Sequence, residues 1–298
     1  MPTPFPALPD PALGDGPLAT ALAQGAGEVL LGLRADVDAA GGAFDAKPLK
    51  DAGDAAAQAW LAAAVAHARP GDAVLSEEAK DDAARTGADR VWIIDPLDGT
   101  REFAERAGDG APTDPWRDDF AVHVALWVRG TDDATDGPGG LAAGAVALPA
   151  RDVVHTTHAP ASATDLDAAV AAVLAGDRPL RIAASRSRPP AFVAALAERD
   201  DVELVPMGSA GVKVVSVVDG TVDAYVHGGG QYEWDSAAPV AVALAAGHEC
   251  TRLDGTPLEY NRQDPWLPDL FVCHPALAAH LRAALSEVGV EIKEGAQS

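Results

Sequence analysis

The chain is poor in the residues that build disulfide frameworks, membrane spans and basic binding faces. Its 298 residues include only two cysteines, too few for a disulfide framework, and we therefore expect a reducing compartment, the cytoplasm. No run of about 18 or more apolar residues occurs, so no membrane span is predicted. Basic residues number 22 against 45 acidic residues, which gives a formal charge of −23. That balance argues against a nucleic-acid or anionic-membrane partner, because both require a basic face.

Apolar residues make up 48% of the chain, a proportion typical of a globular protein. The length is sufficient for one large domain or two smaller ones. Residues 1–16 are expected to form a loose Pro-rich lead, without the basic region and apolar core of a signal peptide. We predict an N-terminal α+β subdomain at 17–178 and a C-terminal α/β subdomain at 179–298, divided near Asp177-Arg178-Pro179.

Helical and strand periodicities indicate where the elements lie. Apolar spacing over 18–37 predicts a first helix, and Asp54 is predicted to open a second helix over 55–68. Beyond residue 179, strands and helices alternate as in an α/β unit. Three stretches of the N-terminal part alternate apolar with polar or small residues and predict an antiparallel sheet: 120–128, 141–148 and 153–157.

The segment Trp92–Thr100 is predicted to be a strand that runs into a tight acidic turn, Asp-Pro-Leu-Asp-Gly-Thr. Gly99 can adopt backbone angles that other residues avoid. The side chains of Asp95 and Asp98 and the carbonyl of Leu97 can therefore face one point, where Mg²⁺ would find oxygen ligands. The N–H groups at 99 and 100 would suit an anion. The simpler alternative is an acidic turn that caps a helix.

Three further acids adjoin predicted elements. Asp54 precedes a helix, Glu77 ends a short strand, and Asp235 begins a helix in Trp234–Ala238. Taken singly, Asp54 and Asp235 are explained as helix caps and Glu77 as a solvated strand end. The histidines, His123 among them, are expected to pack or to lie on the surface, because no spacing typical of a zinc site occurs.

Taken together, these stretches resemble the inositol monophosphatase superfamily of Mg²⁺-dependent, lithium-sensitive phosphatases. The turn at 95–100 is similar to its first signature, Trp234–Ala238 to its second, and Glu77-Glu78 to its acidic pair. Within the superfamily the likeness is to the CysQ branch, the 3′(2′),5′-bisphosphate nucleotidases. The resemblance implies an α/β fold, a layered α-β-α-β-α sandwich with the site between two subdomains, and a homodimer. The segments that carry the CysQ likeness are 71–78, 184–188, 233–238 and 253–261.

The resemblance also implies a role for each matching residue. Asp54 and Thr100 would orient and deprotonate the attacking water, while the N–H groups of Gly99 and Thr100 would hold the phosphate. No covalent nucleophile is needed, because two metal ions can stabilise both the attacking and the leaving oxygens. Two or three Mg²⁺ ions would be held by five groups: Glu77, Asp95, the Leu97 carbonyl, Asp98 and Asp235.

The CysQ likeness implies hydrolysis of the 3′-phosphate of 3′-phosphoadenosine 5′-phosphate to AMP and phosphate, in sulfate assimilation. Four residues of the C-terminal half lie where this branch holds the nucleotide: Ser185, Arg186, Ser209 and Lys213. Ser209 would begin a helix whose N-terminus favours an anion. The structural alternatives are a solvated strand end for Arg186 and a surface helix position for Lys213.

Two departures from the family pattern bear on these roles. Asp51 stands where a threonine is usual ahead of Asp54, which bears on the activation of water. The segment 227–230, His-Gly-Gly-Gly, stands where relatives that favour inositol phosphates carry a glutamate. That replacement counts against inositol as the preferred substrate.

Three alternative functions are left open at this point. One is a broader phosphatase of the same superfamily that takes inositol 1-phosphate or fructose 1,6-bisphosphate. Another is the haloacid-dehalogenase chemistry with a nucleophilic aspartate, although the acids of that motif are spaced one residue closer than Asp95 and Asp98. The third is a metal-binding protein without catalytic activity.

Overall fold

Two five-stranded sheets form the framework of the computed structural model, which describes residues 3–130, 139–187 and 189–290. The first two residues of the predicted Pro-rich lead lie outside the described residues. So do residues 131–138, Arg188 of the CysQ-like segment, and residues 291–298 at the end of the predicted C-terminal subdomain.

Two long helices, α1 (Asp15–Ala39) and α2 (Ala46–Ala68), form the first layer. The prediction that the second helix opens at Asp54 is wrong. It begins eight residues earlier, at Ala46. Asp45 caps it, because its side chain accepts a hydrogen bond from the N–H of Lys47 at 3.1 Å. Gly53 lies inside the helix because Phe103 packs against it, and a Cβ atom there would lie 2.7 Å from that ring.

The first sheet contains five strands in the order β1-β2-β3-β4-β5. Strands β1 and β2 are parallel, and the other pairs are antiparallel, which confirms the predicted three-stranded antiparallel unit. A one-turn helix, α3 (Thr100–Phe103), follows β2. The strands are β1 (Ala73–Ser76), β2 (Arg90–Asp98), β3 (Ala121–Val128), β4 (Gly140–Leu148) and β5 (Val153–Thr156).

A bulge near the end of β2 brings its two aspartates to the same face of the sheet. Asp95 pairs with His123 and Asp98 with Ala121, so three steps along β2 match two steps along β3. In a regular strand, residues three positions apart point to opposite faces. The extra residue of the bulge removes that difference. Both carboxylates therefore face the second half of the molecule.

The second sheet has the strand order β7-β6-β8-β10-β9. Strand β6 is parallel to both β7 and β8, as the predicted α/β alternation requires, while β10 is antiparallel to β8 and β9. The strands are β6 (Leu180–Ser185), β7 (Val202–Met207), β8 (Ala224–Tyr232), β9 (Glu249–Thr251) and β10 (Trp266–Cys273). The helices are α4 (Asp167–Leu174), α5 (Ala191–Leu196), α6 (Ala210–Val218), α7 (Glu233–Ala245) and α8 (Ala278–Glu287).

Three apolar cores hold five layers together. The first core lies between the pair α1 and α2 and one face of the first sheet. The second joins the opposite face of that sheet to α6 and α7 and to the second sheet. The third lies between the second sheet and α4, α5 and α8. The predicted α-β-α-β-α sandwich is therefore confirmed. Within the described ranges, no helix is both long and apolar enough to cross a membrane.

Candidate metal centre and active site

Three aspartates meet where β2 ends and α7 begins. One carboxylate oxygen from each of Asp95, Asp98 and Asp235 lies within 4.8 Å of the other two. The bulge in β2 supplies the first two. The start of α7 supplies the third, whose Oδ2 accepts a hydrogen bond from the N–H of Tyr232 at 2.6 Å. Two distant parts of the chain, predicted separately from the sequence, are thus brought together.

Two of these carboxylates, Asp95 and Asp235, have raised pKa values. Asp95 is 1% exposed, its Oδ1 accepts from the N–H of Leu97 at 3.0 Å, and its Oδ2 has no hydrogen-bond partner in the described part of the chain. Burial, followed by the charges of Glu77, Asp98 and Asp235, raises the pKa of Asp95 well above its usual range. Burial and Asp98 raise the pKa of Asp235 to about 6. A hard divalent cation would satisfy these oxygens, so the donor set fits Mg²⁺.

Asp98, in contrast, is well supplied with donors. Its Oδ2 accepts from the hydroxyl of Ser209 and from the N–H of Gly211 at 2.7 Å. The Nε2 atom of His123 lies 3.2 Å from the same oxygen. Burial alone would raise the pKa of Asp98, but His123, Lys213 and Ser209 outweigh it and lower the pKa to about 2. Asp98 is therefore ionised and fixed in orientation.

Glu77 lies beside this cluster rather than within it. The residue is exposed, yet the surrounding protein desolvates its carboxyl group. That desolvation, with the charges of Asp235 and Asp98, raises the pKa of Glu77 to about 7. The charge of Glu77 in turn raises the pKa of Asp95, so the two carboxyl groups lie close enough to interact. This fourth acid is thus available to the same cation site.

The predicted water-activating pair is also brought together. Asp54 projects from the middle of α2, and burial together with Glu78 raises its pKa to about 6, while a hydrogen bond with Thr100 opposes the shift. Oγ1 of Thr100 also lies 3.1 Å from the Leu97 carbonyl oxygen, so its single proton can serve only one of these two acceptors at a time. Gly99 has φ of 87°, and a Cβ atom there would lie 3.2 Å from Cα of Phe120, so this turn requires glycine.

Arg186 has protein partners, and the alternative of a simple solvated strand end is wrong. Its side chain is 31% exposed, and Nη1 lies 3.3 Å from Oε1 of Glu102. Nη2 donates to Oδ2 of Asp119, which also accepts from the N–H of Gly208 at 2.7 Å. Ser185 precedes Arg186 at the end of β6. The sequence analysis missed Glu102 and Asp119.

Lys213 is buried, and the alternative of a surface helix position is therefore wrong. The side chain lies inside the protein, with the residue 6% exposed. Its Nζ donates to the carbonyls of Gly208 at 3.1 Å and Ser209 at 2.5 Å. Burial lowers the pKa of Lys213, although Asp98 and Glu102 oppose this effect. In this structure the ammonium group holds the loop between β7 and α6.

Ser209 precedes α6, as predicted, and its Oγ accepts from the N–H of Val212 at 3.0 Å. The anion next to this helix N-terminus is Asp98 of the protein itself.

His123 packs in the interior, one of the two expected positions, but the sequence analysis missed its contact with Asp98. Its Nδ1 lies 3.1 Å from the carbonyl oxygen of Trp234, and a carbonyl can only accept, so Nδ1 carries a proton. Burial lowers the pKa of His123, but Asp98 outweighs this and raises it. The imidazole ring fits here because residue 211 is a glycine. A Cβ atom at that position would lie 1.9 Å from Nε2 of His123. The alternation of β3 contained the signal, because His123 shares the face of Ala121 and Ala125.

Comparison with known proteins agrees with this geometry. The profile of the inositol monophosphatase family matches residues 17–288. A 3′-phosphoadenosine 5′-phosphate phosphatase of Mycobacterium leprae is 47% identical over 279 residues, covering 93% of this chain and 95% of that protein. The protein of the same name from Mycobacterium tuberculosis is 48% identical, covering 88% and 90%. The crystal structure of CysQ from Bacteroides thetaiotaomicron superposes with a TM-score of 0.64 at 25% identity, covering 87% and 97%.

Proposed function

The chain belongs to the inositol monophosphatase family and is a phosphoric monoester hydrolase, and from this premise we propose that its substrate is 3′-phosphoadenosine 5′-phosphate. Hydrolysis of the 3′-phosphate would give AMP and phosphate, a step of sulfate assimilation. One observation carries the proposal. The two adjacent residues Gly208 and Ser209 contact both Asp98 of the metal centre and Asp119, the partner of Arg186. A cation site and a guanidinium group therefore lie on either side of one short loop.

We assign five oxygen donors to a site for two or three Mg²⁺ ions. The observation that supports it is the unpartnered Oδ2 of Asp95 among carboxyl groups of raised pKa. When bound, Mg²⁺ would neutralise phosphate charge and make a bound water more acidic. The donors are Glu77, Asp95, the Leu97 carbonyl, Asp98 and Asp235.

Asp54 and Thr100 are the residues we assign to proton transfer. A carboxyl group with a pKa of about 6 is mostly ionised at neutral pH, so Asp54 can accept a proton from water. Thr100 would support that state when its hydroxyl proton points to Asp54 rather than to the Leu97 carbonyl. The N–H groups of Gly99 and Thr100 would hold the phosphate that is cleaved. The helix that follows has only four residues, so these N–H groups, rather than a helix dipole, would supply the attraction.

Arg186 is the residue we assign to the 5′-phosphate, which is not cleaved. Its guanidinium group is partly exposed, and planar guanidinium groups bind phosphate through paired hydrogen bonds. Ser185 and Ser209 would contribute neighbouring hydroxyl groups. The burial of Lys213 changes its role in the proposal. It would organise the loop at 208–209 instead of contacting the phosphate directly.

A substrate panel tests the proposed function. With Mg²⁺, we expect the highest kcat/KM for 3′-phosphoadenosine 5′-phosphate, ahead of inositol 1-phosphate and fructose 1,6-bisphosphate. A higher value for either sugar phosphate would assign the protein to the broader alternative. Rapid quenching should detect no aspartyl-phosphate, because water attacks directly; a trapped adduct on Asp95 would indicate nucleophilic aspartate chemistry instead.

The assembly and location of the protein are also part of the proposal. We expect a homodimer, which sedimentation velocity would detect, and a reducing cytoplasmic environment. Two observations support the latter. The only two cysteines, Cys250 and Cys273, are both buried and free, and burial raises the pKa of Cys250, so its thiol is unreactive.

A further inference from the structure

We propose that Asp119 is a positioning residue, which holds Arg186 where the second phosphate of the substrate binds, and that Glu102 competes with this phosphate for the same guanidinium group. The inference rests on the proposed function, because it concerns the phosphate that is not cleaved. Both acids belong to the N-terminal half, whereas Arg186 belongs to the C-terminal half.

Asp119 holds two groups of the C-terminal half at once, the guanidinium group of Arg186 and the backbone N–H of Gly208. It is 4% exposed and lies two residues before the start of β3. Its Oδ2 accepts from Nη2 of Arg186 and, at 2.7 Å, from the N–H of Gly208. The backbone N–H of Arg186 donates to the carbonyl of Met207 at 3.2 Å, so the same two strand ends are also joined directly. A buried carboxylate with these two donors leaves Arg186 few orientations.

Glu102 makes the weaker of the two contacts. Its Oε1 lies 3.3 Å from Nη1 of Arg186, at the long end of a charge-assisted hydrogen bond. The side chain lies directly against Gly208, where a Cβ atom would be 2.4 Å from Cγ of Glu102. Among the residues that the structure describes, Glu102 pairs with no cation besides Arg186, since Lys213 directs its Nζ to backbone carbonyls.

Two carboxylates therefore share one guanidinium group. A phosphate that approaches Arg186 meets an excess of negative charge and has to replace one of them. Asp119 is retained by the N–H of Gly208 on the other half of the molecule, whereas Glu102 is held by its own backbone N–H and, at longer range, by Arg186. We therefore expect Glu102 to yield its place and Asp119 to stay. A purely structural role for the three residues, as a tie between the two halves, would give both acids effects of the same sign.

The test compares Asp119→Asn and Glu102→Gln on two substrates. These are 3′-phosphoadenosine 5′-phosphate and adenosine 3′-phosphate, which lacks the second phosphate. Asp119→Asn should raise KM for the first substrate about tenfold and for the second less than about threefold. Glu102→Gln should lower KM for the first substrate by about threefold. Asp201→Asn removes one of the two acidic partners of the half-buried Arg199, which like Arg186 is shared by two carboxylates, and is the matched control.

Two further measurements separate positioning from folding. Asp119→Glu, which keeps the charge, should recover part of the lost affinity. The double variant Asp119→Asn/Arg186→Ala should have the KM of Arg186→Ala alone, because Asp119 acts through Arg186. Additive effects, equal effects on both substrates, or a higher KM in Glu102→Gln would overturn the inference. Loss of folded protein lowers the apparent kcat and leaves KM unchanged, so thermal unfolding of each variant shows whether a change in kcat has this cause.

The substrate preference of the wild-type protein separates a failure of the proposed function from a failure of the inference about Asp119. If it does not prefer the nucleotide with two phosphates, the proposed function fails. If it does and Asp119→Asn keeps the preference, only the inference about Asp119 fails.

Discussion

Ser209 donates its hydroxyl hydrogen bond to Asp98, across the junction between the two halves of the molecule. The start of α6 thereby holds a carboxylate of the metal centre in place, with the N–H of Gly211 on the same oxygen. Asp95 lies on the same bulge but has an oxygen without any partner in the described ranges. Asp95 and Asp98, three positions apart in one turn, are thus stabilised to very different degrees. Substitution of each should therefore change the thermal stability differently.

Asp95→Asn and Asp98→Asn should each lower kcat by orders of magnitude, because both remove charge from the proposed Mg²⁺ site. Their stabilities in EDTA should differ in sign. Asp95→Asn relieves repulsion among buried carboxylates and should raise Tm by a few degrees. Asp98→Asn removes an ionised acceptor of two hydrogen bonds beside His123 and should lower Tm. Near-normal turnover in either variant would contradict the metal assignment.

Lithium sensitivity is a second expectation, and it follows from the family resemblance. A small monovalent ion in one of the Mg²⁺ positions would bring less positive charge to the carboxylates and would not support product release. At fixed Mg²⁺, the initial rate should fall as LiCl replaces NaCl at constant ionic strength. An unchanged rate at Li⁺ concentrations comparable to the Mg²⁺ present would count against it. Removal of Mg²⁺ with EDTA should abolish turnover, and added Mg²⁺ should restore it.

The burial of His248, away from the metal centre, predicts how the free energy of unfolding depends on pH. It is 4% exposed, and only hydrogen bonding to the backbone of Val217 and Ala243 opposes the effect of its burial. Burial and His274 lower its pKa from 6.5 to about 4, while Asp223 lines the same small cavity. The unfolded chain therefore binds more protons than the folded protein between these two values. The stabilisation is full above pH 6.5 and is lost as the pH falls toward 4.

The two pKa values of His248 correspond to at most about 3 kcal/mol of unfolding free energy. His248→Gln should flatten the pH dependence of the unfolding free energy in this window, as measured by urea unfolding. His67→Gln, at an exposed position on α2, serves as the control. If both variants follow the wild-type curve, burial of a neutral His248 does not account for the acid loss.

The parts of the fold that follow from local pattern could be predicted from sequence. Apolar periodicity predicts the strands of both sheets and helix α1. The start of α2 could not, because its first turns are polar and contain Gly53, whose fit depends on Phe103 from a distant segment. In the sequence Gly53 indicates a break in the helix, whereas in the structure it is the position against which Phe103 packs.

The candidate site divides in the same way. Asp95 and Asp98 could be predicted because one turn contains both. The partners of Arg186 could not, since Glu102 and Asp119 lie 84 and 67 residues away along the chain. No local pattern pairs an arginine with acids at such separations. The burial of Lys213 was missed for a related reason, because its carbonyl partners come from a turn whose path is set by tertiary packing.

The most direct test of the central claim is the selectivity of the wild-type protein and of Arg186→Ala between 3′-phosphoadenosine 5′-phosphate and adenosine 3′-phosphate. With Mg²⁺ present, the ratio of the two kcat/KM values isolates the contribution of the second phosphate. We predict that the wild-type protein prefers the two-phosphate substrate and that Arg186→Ala reduces this preference by about tenfold or more, because a charge-assisted hydrogen bond contributes roughly 1.5–3 kcal/mol. An equal loss on both substrates, or no loss on either, would contradict the account.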